Sequence, residues 1–196
     1  MACKSKKQNT TTEILQKIEA VTKRPYLIGI DGRSGAGKST FANKLQEQLT
    51  DVVVIHKDDF YRVMDEKVRA TLNSEQGYYR YFDWERLEHQ VLCPLSTGEI
   101  ADYQRYDWGK EELAETIVVN PMNIIIVEGV YSTRPELRKY YDLCIWIETS
   151  ESERLRRQIN REENTNDWIQ RWAAAEIFYI TNFQTDLLQS MIVSGE

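Results

Sequence analysis

Eight consecutive residues combine the types and spacing needed to hold a run of phosphates: Gly32-Arg33-Ser34-Gly35-Ala36-Gly37-Lys38-Ser39. Glycines at the first, fourth and sixth places let the backbone turn tightly and approach a ligand closely. The N–H groups of such a turn, and of a helix that it opens, converge on an anion. Lys38 has the reach to meet β- and γ-phosphates, and the Ser39 hydroxyl suits Mg²⁺. Gly32 through Thr40 is therefore the expected contact set for a nucleoside triphosphate with its magnesium ion.

The elements that must position this loop are legible on both sides of it. Leu27, Ile28 and Ile30 predict a strand over 25–30, and Phe41, Leu45 and Leu49 predict a helix from Thr40 to Leu49. Val52–Ile55, Ile124–Val127 and Leu143–Ile147 are short continuous apolar runs, as expected of strands buried on both faces of a parallel sheet. Helical spacing is expected over 12–21, 84–93, from Ser150 onward, and from Trp168 to Ser190. A hairpin is expected from 100–106 and 115–119. Strands alternating with helices predict an α/β fold: a three-layer P-loop sheet, mostly parallel, with a small hairpin insertion and a helical lid. Residues 11–196 are expected to form one domain behind a mobile tail over 1–10. The insertion falls at about 62–120 and the lid at about 154–168.

In such sheets ligands bind at the carboxyl ends of the strands. That rule gathers Asp31–Ser39, Lys57-Asp58-Asp59 and Glu128-Gly129 at one crevice. A phosphate cradle with carboxylates beside it is the inventory of phosphoryl transfer, which needs cations on the moving group, magnesium, and a carboxylate to take the acceptor's proton. Arg154, Arg157 and Arg161 stand at i, i+3 and i+7, on one helical face. Arginine forks on that face suit phosphate oxygens, but pairing with Glu151 and Glu153 on a solvated helix is equally open.

The motifs Gly32–Ser39, Lys57-Asp58-Asp59-Phe60-Tyr61, Tyr81-Phe82-Asp83-Trp84, Tyr106-Asp107, Val127-Glu128-Gly129 and Arg154-Leu155-Arg156-Arg157-x-x-x-Arg161 follow one another in the order seen in uridine kinases. Over roughly residues 25–162 the chain resembles the uridine kinase/phosphoribulokinase group of P-loop kinases, which includes nicotinamide riboside kinases. The resemblance implies transfer from ATP to a hydroxyl of a small acceptor, with Asp58 as general base and Lys38 on the phosphates. It implies Ser39 and Glu128 at magnesium, with Glu128 also within touch of the acceptor sugar. Asp83, Tyr61, Tyr106 and Arg154 are implied at the acceptor, and Arg157 and Arg161 in a lid over the nucleotide. It also points to a homo-oligomer. Asp83 directly precedes a helical run and is equally suited to capping it. His56 and His89 have no partner pattern and read as structural. After Tyr106-Asp107 the run is Trp108-Gly109-Lys110-Glu111-Glu112, without the histidine that reads uracil in uridine kinases, so the acceptor's base is unassigned. Two alternatives stay open: a kinase for pantothenate or a phosphosugar, and a regulatory NTPase without an acceptor.

The bulk composition narrows the field. With 196 residues, 41% hydrophobic and 29% charged, the chain reads as globular, and its net charge of −6 argues against a general nucleic-acid binder. The three cysteines, Cys3, Cys93 and Cys144, form no metal or disulfide pattern. No apolar run approaches a membrane span and the basic first ten residues lack an apolar segment behind them, so a cytoplasmic protein without membrane partners is expected.

Overall fold

The computed structural model describes residues 9–159, 166–187 and 190–196. Among these, five strands form a central sheet: β1 (Tyr26–Asp31), β2 (Val52–His56), β5 (Ile124–Glu128), β6 (Leu143–Glu148) and β7 (Met191–Ser194), in the order β2-β5-β1-β6-β7. Every pairing in it is parallel. β3 (Ala101–Asp107) and β4 (Glu112–Val119) make the expected hairpin apart from the sheet.

Burial follows strand position. β1 and β5, in the interior of the sheet, are buried along their whole length. β2 was expected to be equally buried, yet Val52, Val53 and Val54 are only half-buried because β2 is an edge strand. β7, on the opposite edge, is a strand that the sequence did not reveal. Asn9 joins that edge by donating its N–H to Ile192 O at 2.6 Å. Thr10 then starts helix α1 (Thr11–Glu19) with a capping box to Glu13. Asn9 and Thr10 thus have defined places, while the rest of the expected tail lies outside the described residues.

Helix α2 (Lys38–Gln48) opens at the phosphate loop and packs Phe41, Ala42 and Leu45 on one face of the sheet, beside Ile14 and Ile18 of α1. The short helices α3 (Glu66–Arg69), α4 (Ser74–Arg80), α5 (Trp84–Leu87) and α6 (Cys93–Ser96) fill the insertion. The single helix expected over 84–93 is α5, a π-turn over Glu88–Leu92, and α6. Leu87, Val91, Leu92 and Leu95 of this stretch cover the other face of the sheet, against Leu27, Ile125 and Val127. α7 (Pro135–Arg138) precedes β6; α8 (Glu151–Ile159) and α9 (Asn166–Leu187) follow it. A third cluster, mainly aromatic, lies where α4 and α9 meet above the strand ends.

From β1 the chain crosses through α2 to the edge strand β2, and β5 later fills the place between them. The connection from β1 runs toward β2 and that from β5 runs the other way, past β1 to β6, which opens a crevice at the carboxyl end of β1.

Candidate active site

The phosphate loop runs from the end of β1 into α2. Gly35 (φ +78°) and Gly37 (φ +97°) are left-handed. A Cβ on Gly35 would also lie 2.7 Å from the Arg154 carbonyl oxygen, so conformation and space both require glycine. Arg33, Ser34, Gly35, Lys38 and Ser39 line a crevice of about 640 Å³, within the roughly 300–1,000 Å³ of small-molecule sites. Gly32, Ala36, Gly37 and Thr40, also expected at the nucleotide, do not line it; the Ala36 carbonyl accepts a bond from Thr149 Oγ1 at 2.8 Å. Lys38 is almost buried, and its Nζ donates to Arg33 O at 3.0 Å.

The loop is anchored by Asp31, the last residue of β1, which is fully buried. Its Oδ1 accepts from the N–H groups of Gly32 (2.7 Å) and Tyr131 (3.0 Å). Its Oδ2 accepts from Thr133 N (3.0 Å), Thr133 Oγ1 (2.9 Å) and Tyr179 OH (2.8 Å). One carboxylate thereby joins β1, the turn after β5, and α9. Burial still pushes its pKa up, outweighing those donors.

Two further carboxylates come from adjacent strand ends. Glu128 closes β5 and stands in register with His56 of β2. Its Oε1 accepts from Ser39 Oγ at 3.0 Å and lies 2.7 Å from His56 Nδ1. Burial raises the carboxyl's pKa, but His56, Lys38 and Ser39 together overcome it and hold Glu128 below the ordinary range. The same contact raises the pKa of His56. Asp58 lies in the 3₁₀ turn Lys57–Phe60 and lines the crevice. Its side chain meets solvent through the opening but is walled by protein elsewhere. Burial, and then the Glu128 charge, push its carboxyl up, against Lys38 and His56. Asp59 turns away and accepts a bond from Tyr103 OH at 3.1 Å.

The expected residues therefore separate into groups. Lys38, Ser39, Asp58 and Glu128 converge on the crevice. Arg154 lines it too, but on the donor side, where its Nη1 donates to Ser34 O at 3.4 Å. Arg157 pairs with Glu153 at 2.7 Å, as the helix-pairing reading expects, and also donates to Gly35 O at 3.3 Å. Arg161 lies outside the described residues. Asp83 caps α5, accepting from Arg86 N at 3.2 Å, and takes a contact from Arg62 at 3.3 Å. Tyr61 and Tyr106 are buried 5.1 Å apart in the aromatic cluster, behind the crevice wall rather than on it. Phe82, Trp168 and Trp172 of that cluster line the crevice, together with Trp108, which packs against Tyr61 and Tyr106.

Two participants escaped the sequence reading. His56 had a usable signal, since it ends the strand beside the one that Glu128 ends, and Glu176, on α9, had none. Lys57, which the strand-end rule gathers at the crevice, is instead fully buried with its Nζ over the Phe82 ring at 4.9 Å.

The donor set suits magnesium in the way phosphotransferases hold it, with one hydroxyl and one carboxylate beside the phosphate loop and the remaining positions left to phosphate and water. No group of three or more His, Cys, Asp or Glu side chains among the described residues forms a closed metal cage. A phosphate loop on a parallel sheet, with a hydroxyl–carboxylate pair and a separate carboxylate in the same crevice, defines a P-loop phosphotransferase.

The chain belongs to the phosphoribulokinase/uridine kinase family, whose model matches residues 27–167. It is 34% identical over 151 residues to a uridine kinase of Ureaplasma parvum serovar 3, covering 73% of this chain and 72% of that protein. It is 33% identical over 149 residues to a uridine kinase of Clostridium novyi, covering 71% and 69%. The structure of a possible uridine kinase from Bacillus stearothermophilus superposes with a TM-score of 0.71 at 25% identity, over 94% of this chain and 96% of that one. The chain is a P-loop small-molecule kinase. Among the described residues, no helix is long and apolar enough to cross a membrane.

Proposed function

We propose that the protein transfers the γ-phosphoryl group of ATP to a hydroxyl of a nucleoside or related ribosyl compound. The observation that carries this reading is the placing of Asp58 on the crevice wall, with Lys38 and the Ser39–Glu128 pair lining the same space. In the proposed step the Asp58 carboxylate accepts the acceptor's hydroxyl proton as its oxygen bonds to the γ-phosphorus. The bond from that phosphorus to the bridging oxygen breaks, and ADP leaves. Lys38, the loop N–H groups and the arginines of α8 hold the phosphate charge. Ser39 and Glu128 would hold Mg²⁺, which neutralises charge on the β- and γ-oxygens when bound.

The aromatic wall of Phe82, Trp108, Trp168 and Trp172 favours an acceptor with a flat apolar face. A phosphorylated acceptor is disfavoured. Of the cations available near the insertion, Arg86 is held on Asp59 O at 2.8 Å, Arg105 on Glu115 at 3.3 Å and Lys110 near Asp107 at 3.9 Å. None of these three, nor Arg80, lines the crevice. A cytoplasmic setting fits the free thiols of Cys93 and Cys144.

The test is Mg·ATP turnover against nucleosides, nicotinamide riboside, pantothenate and sugar phosphates, each with a no-acceptor control. The proposal requires ADP release that depends on a nucleoside or ribosyl acceptor. Release indifferent to every acceptor would favour a regulatory NTPase.

A further inference from the structure

Glu176 is a carboxylate that the transfer mechanism above does not use. It lies on α9, only 2% exposed. Its Oε1 accepts from the backbone N–H of Ser34 at 3.1 Å and from the Ser34 hydroxyl. Its Oε2 lies 3.4 Å from Arg33 Nε. Arg154, bonded to Ser34 O, is close enough to feel the same charge. A buried carboxylate is costly unless its oxygens are satisfied, and here the described partners of Glu176 all belong to the first half of the phosphate loop.

The same helix face carries a second function. Trp172 stands one turn before Glu176 and Trp168 two turns before it, and both line the crevice. Trp172 is seated among Tyr61, Tyr81 and Phe82, with ring centroids 5.9, 4.5 and 5.2 Å away. A single helix therefore bonds the phosphate loop through a carboxylate and forms the acceptor wall through two indoles. Triphosphate in the loop brings negative charge beside Glu176 and competes with it for Arg33 and Arg154. The indoles stand one and two turns from that bond on the same helix.

We propose that Glu176 is a positioning residue that couples nucleotide binding at the phosphate loop to the placing of Trp168 and Trp172 at the acceptor wall. The proposal deepens the kinase reading and rests on it for the nucleotide and for the acceptor wall. Coupling of this kind is a free-energy link between two half-sites of one crevice, and it is reciprocal.

The experiment uses full-length protein labelled with 5-fluorotryptophan. Its ¹⁹F resonances are assigned by Trp→Phe variants and followed as Mg²⁺ and a non-hydrolysable ATP analogue are added. Equilibrium dialysis reports analogue binding in parallel. In the wild type the Trp168 and Trp172 signals are expected to shift on binding. In Glu176→Ala the analogue should still bind, while those two signals move less than half as far. Glu176→Gln keeps an oxygen for Ser34 and should restore part of the shift. Ser34→Ala, which removes the hydroxyl partner, should reduce it from the other side and serves if Glu176→Ala fails to fold. A purely structural role would lower the melting temperature of the variants and leave the shifts intact. Equal shifts in wild type and variants, or analogue binding that leaves both wild-type signals unmoved, would overturn the coupling while leaving the kinase reading standing. Failure of the wild type to bind the analogue would overturn both.

Discussion

Asp58 and Glu128 are carboxylates at neighbouring strand ends whose surroundings push their proton affinities in opposite directions. Glu128 is held charged by His56, Lys38 and Ser39, which suits a cation-binding group. Among the described residues no hydrogen-bond donor of that kind meets Asp58, whose carboxyl is raised by burial and by Glu128, which suits a proton acceptor. Asp58→Asn should therefore lower kcat by about 10²–10⁴-fold and leave ATP affinity nearly unchanged, measured by turnover and by nucleotide binding. Near-normal turnover in that variant would remove Asp58 from the mechanism. Because the base must be ionised to act, activity should fall as pH drops through a pKa above the ordinary aspartate value, and the acid limb of kcat/KM checks this. The stability effect has the opposite sign. Folded Asp58 binds its proton more tightly than unfolded Asp58, so its ionisation destabilises the fold as pH rises through the raised pKa. Asp58→Asn should accordingly melt at a higher temperature than wild type near neutral pH. At this scale the sequence was informative where strand ends could be located. It was silent on Glu176, because nothing local marks a helix carboxylate whose partners lie 142 residues away. It left Asp83 between capping and acceptor binding, and the structure uses it as the cap of α5.

The phosphate loop, at the scale of elements, is a turn whose shape is imposed from outside. Gly35 is confined by its left-handed backbone and by the Arg154 carbonyl. Gly35→Ala should cost about 1–3 kcal/mol of stability and weaken nucleotide binding, read by denaturant unfolding and by dialysis. Asp31 ties the same loop to two other elements. Asp31→Asn would turn an amide N–H₂ toward donors and break bonds to Thr133 and Tyr179, or to Gly32 and Tyr131. A loss of about 1–3 kcal/mol is expected from the unsatisfied buried groups, seen as a lower midpoint in urea. Element types were legible because strand and helix periodicities differ. The fragmented helix over 84–96 was not, since a π-turn keeps the apolar spacing that suggests one continuous helix. β7 was not either, because four residues on a sheet edge carry too short a pattern to separate from a helix end.

For the whole molecule, strand order decides function. Placing β5 between β2 and β1 brings His56, Asp58 and Glu128 to the phosphate loop, although the sequence spreads them over more than seventy residues. The α/β class and the convergence of strand ends could be read from alternating elements and from the rule for parallel sheets. The half-buried edge strand could not, because an apolar run looks the same at the centre of a sheet and at its rim. A ligand that binds only the folded state stabilises it by mass action. Mg·ATP at about a hundred times its dissociation constant should add about 2.7 kcal/mol, which raises the melting temperature by about 5–10 °C for a chain of this size. Lys38→Ala should abolish most of that rise in a thermal-shift experiment.

The most direct test of the central claim follows the phosphorus itself. The protein is incubated with Mg²⁺, γ-labelled ATP and the nucleoside or ribosyl acceptor that best supports ADP release, and the labelled products are separated. The account predicts label in a phosphomonoester of the acceptor, formed in step with ADP and lost in Asp58→Asn. Label appearing only as inorganic phosphate, at a rate that ignores the acceptor, would contradict it.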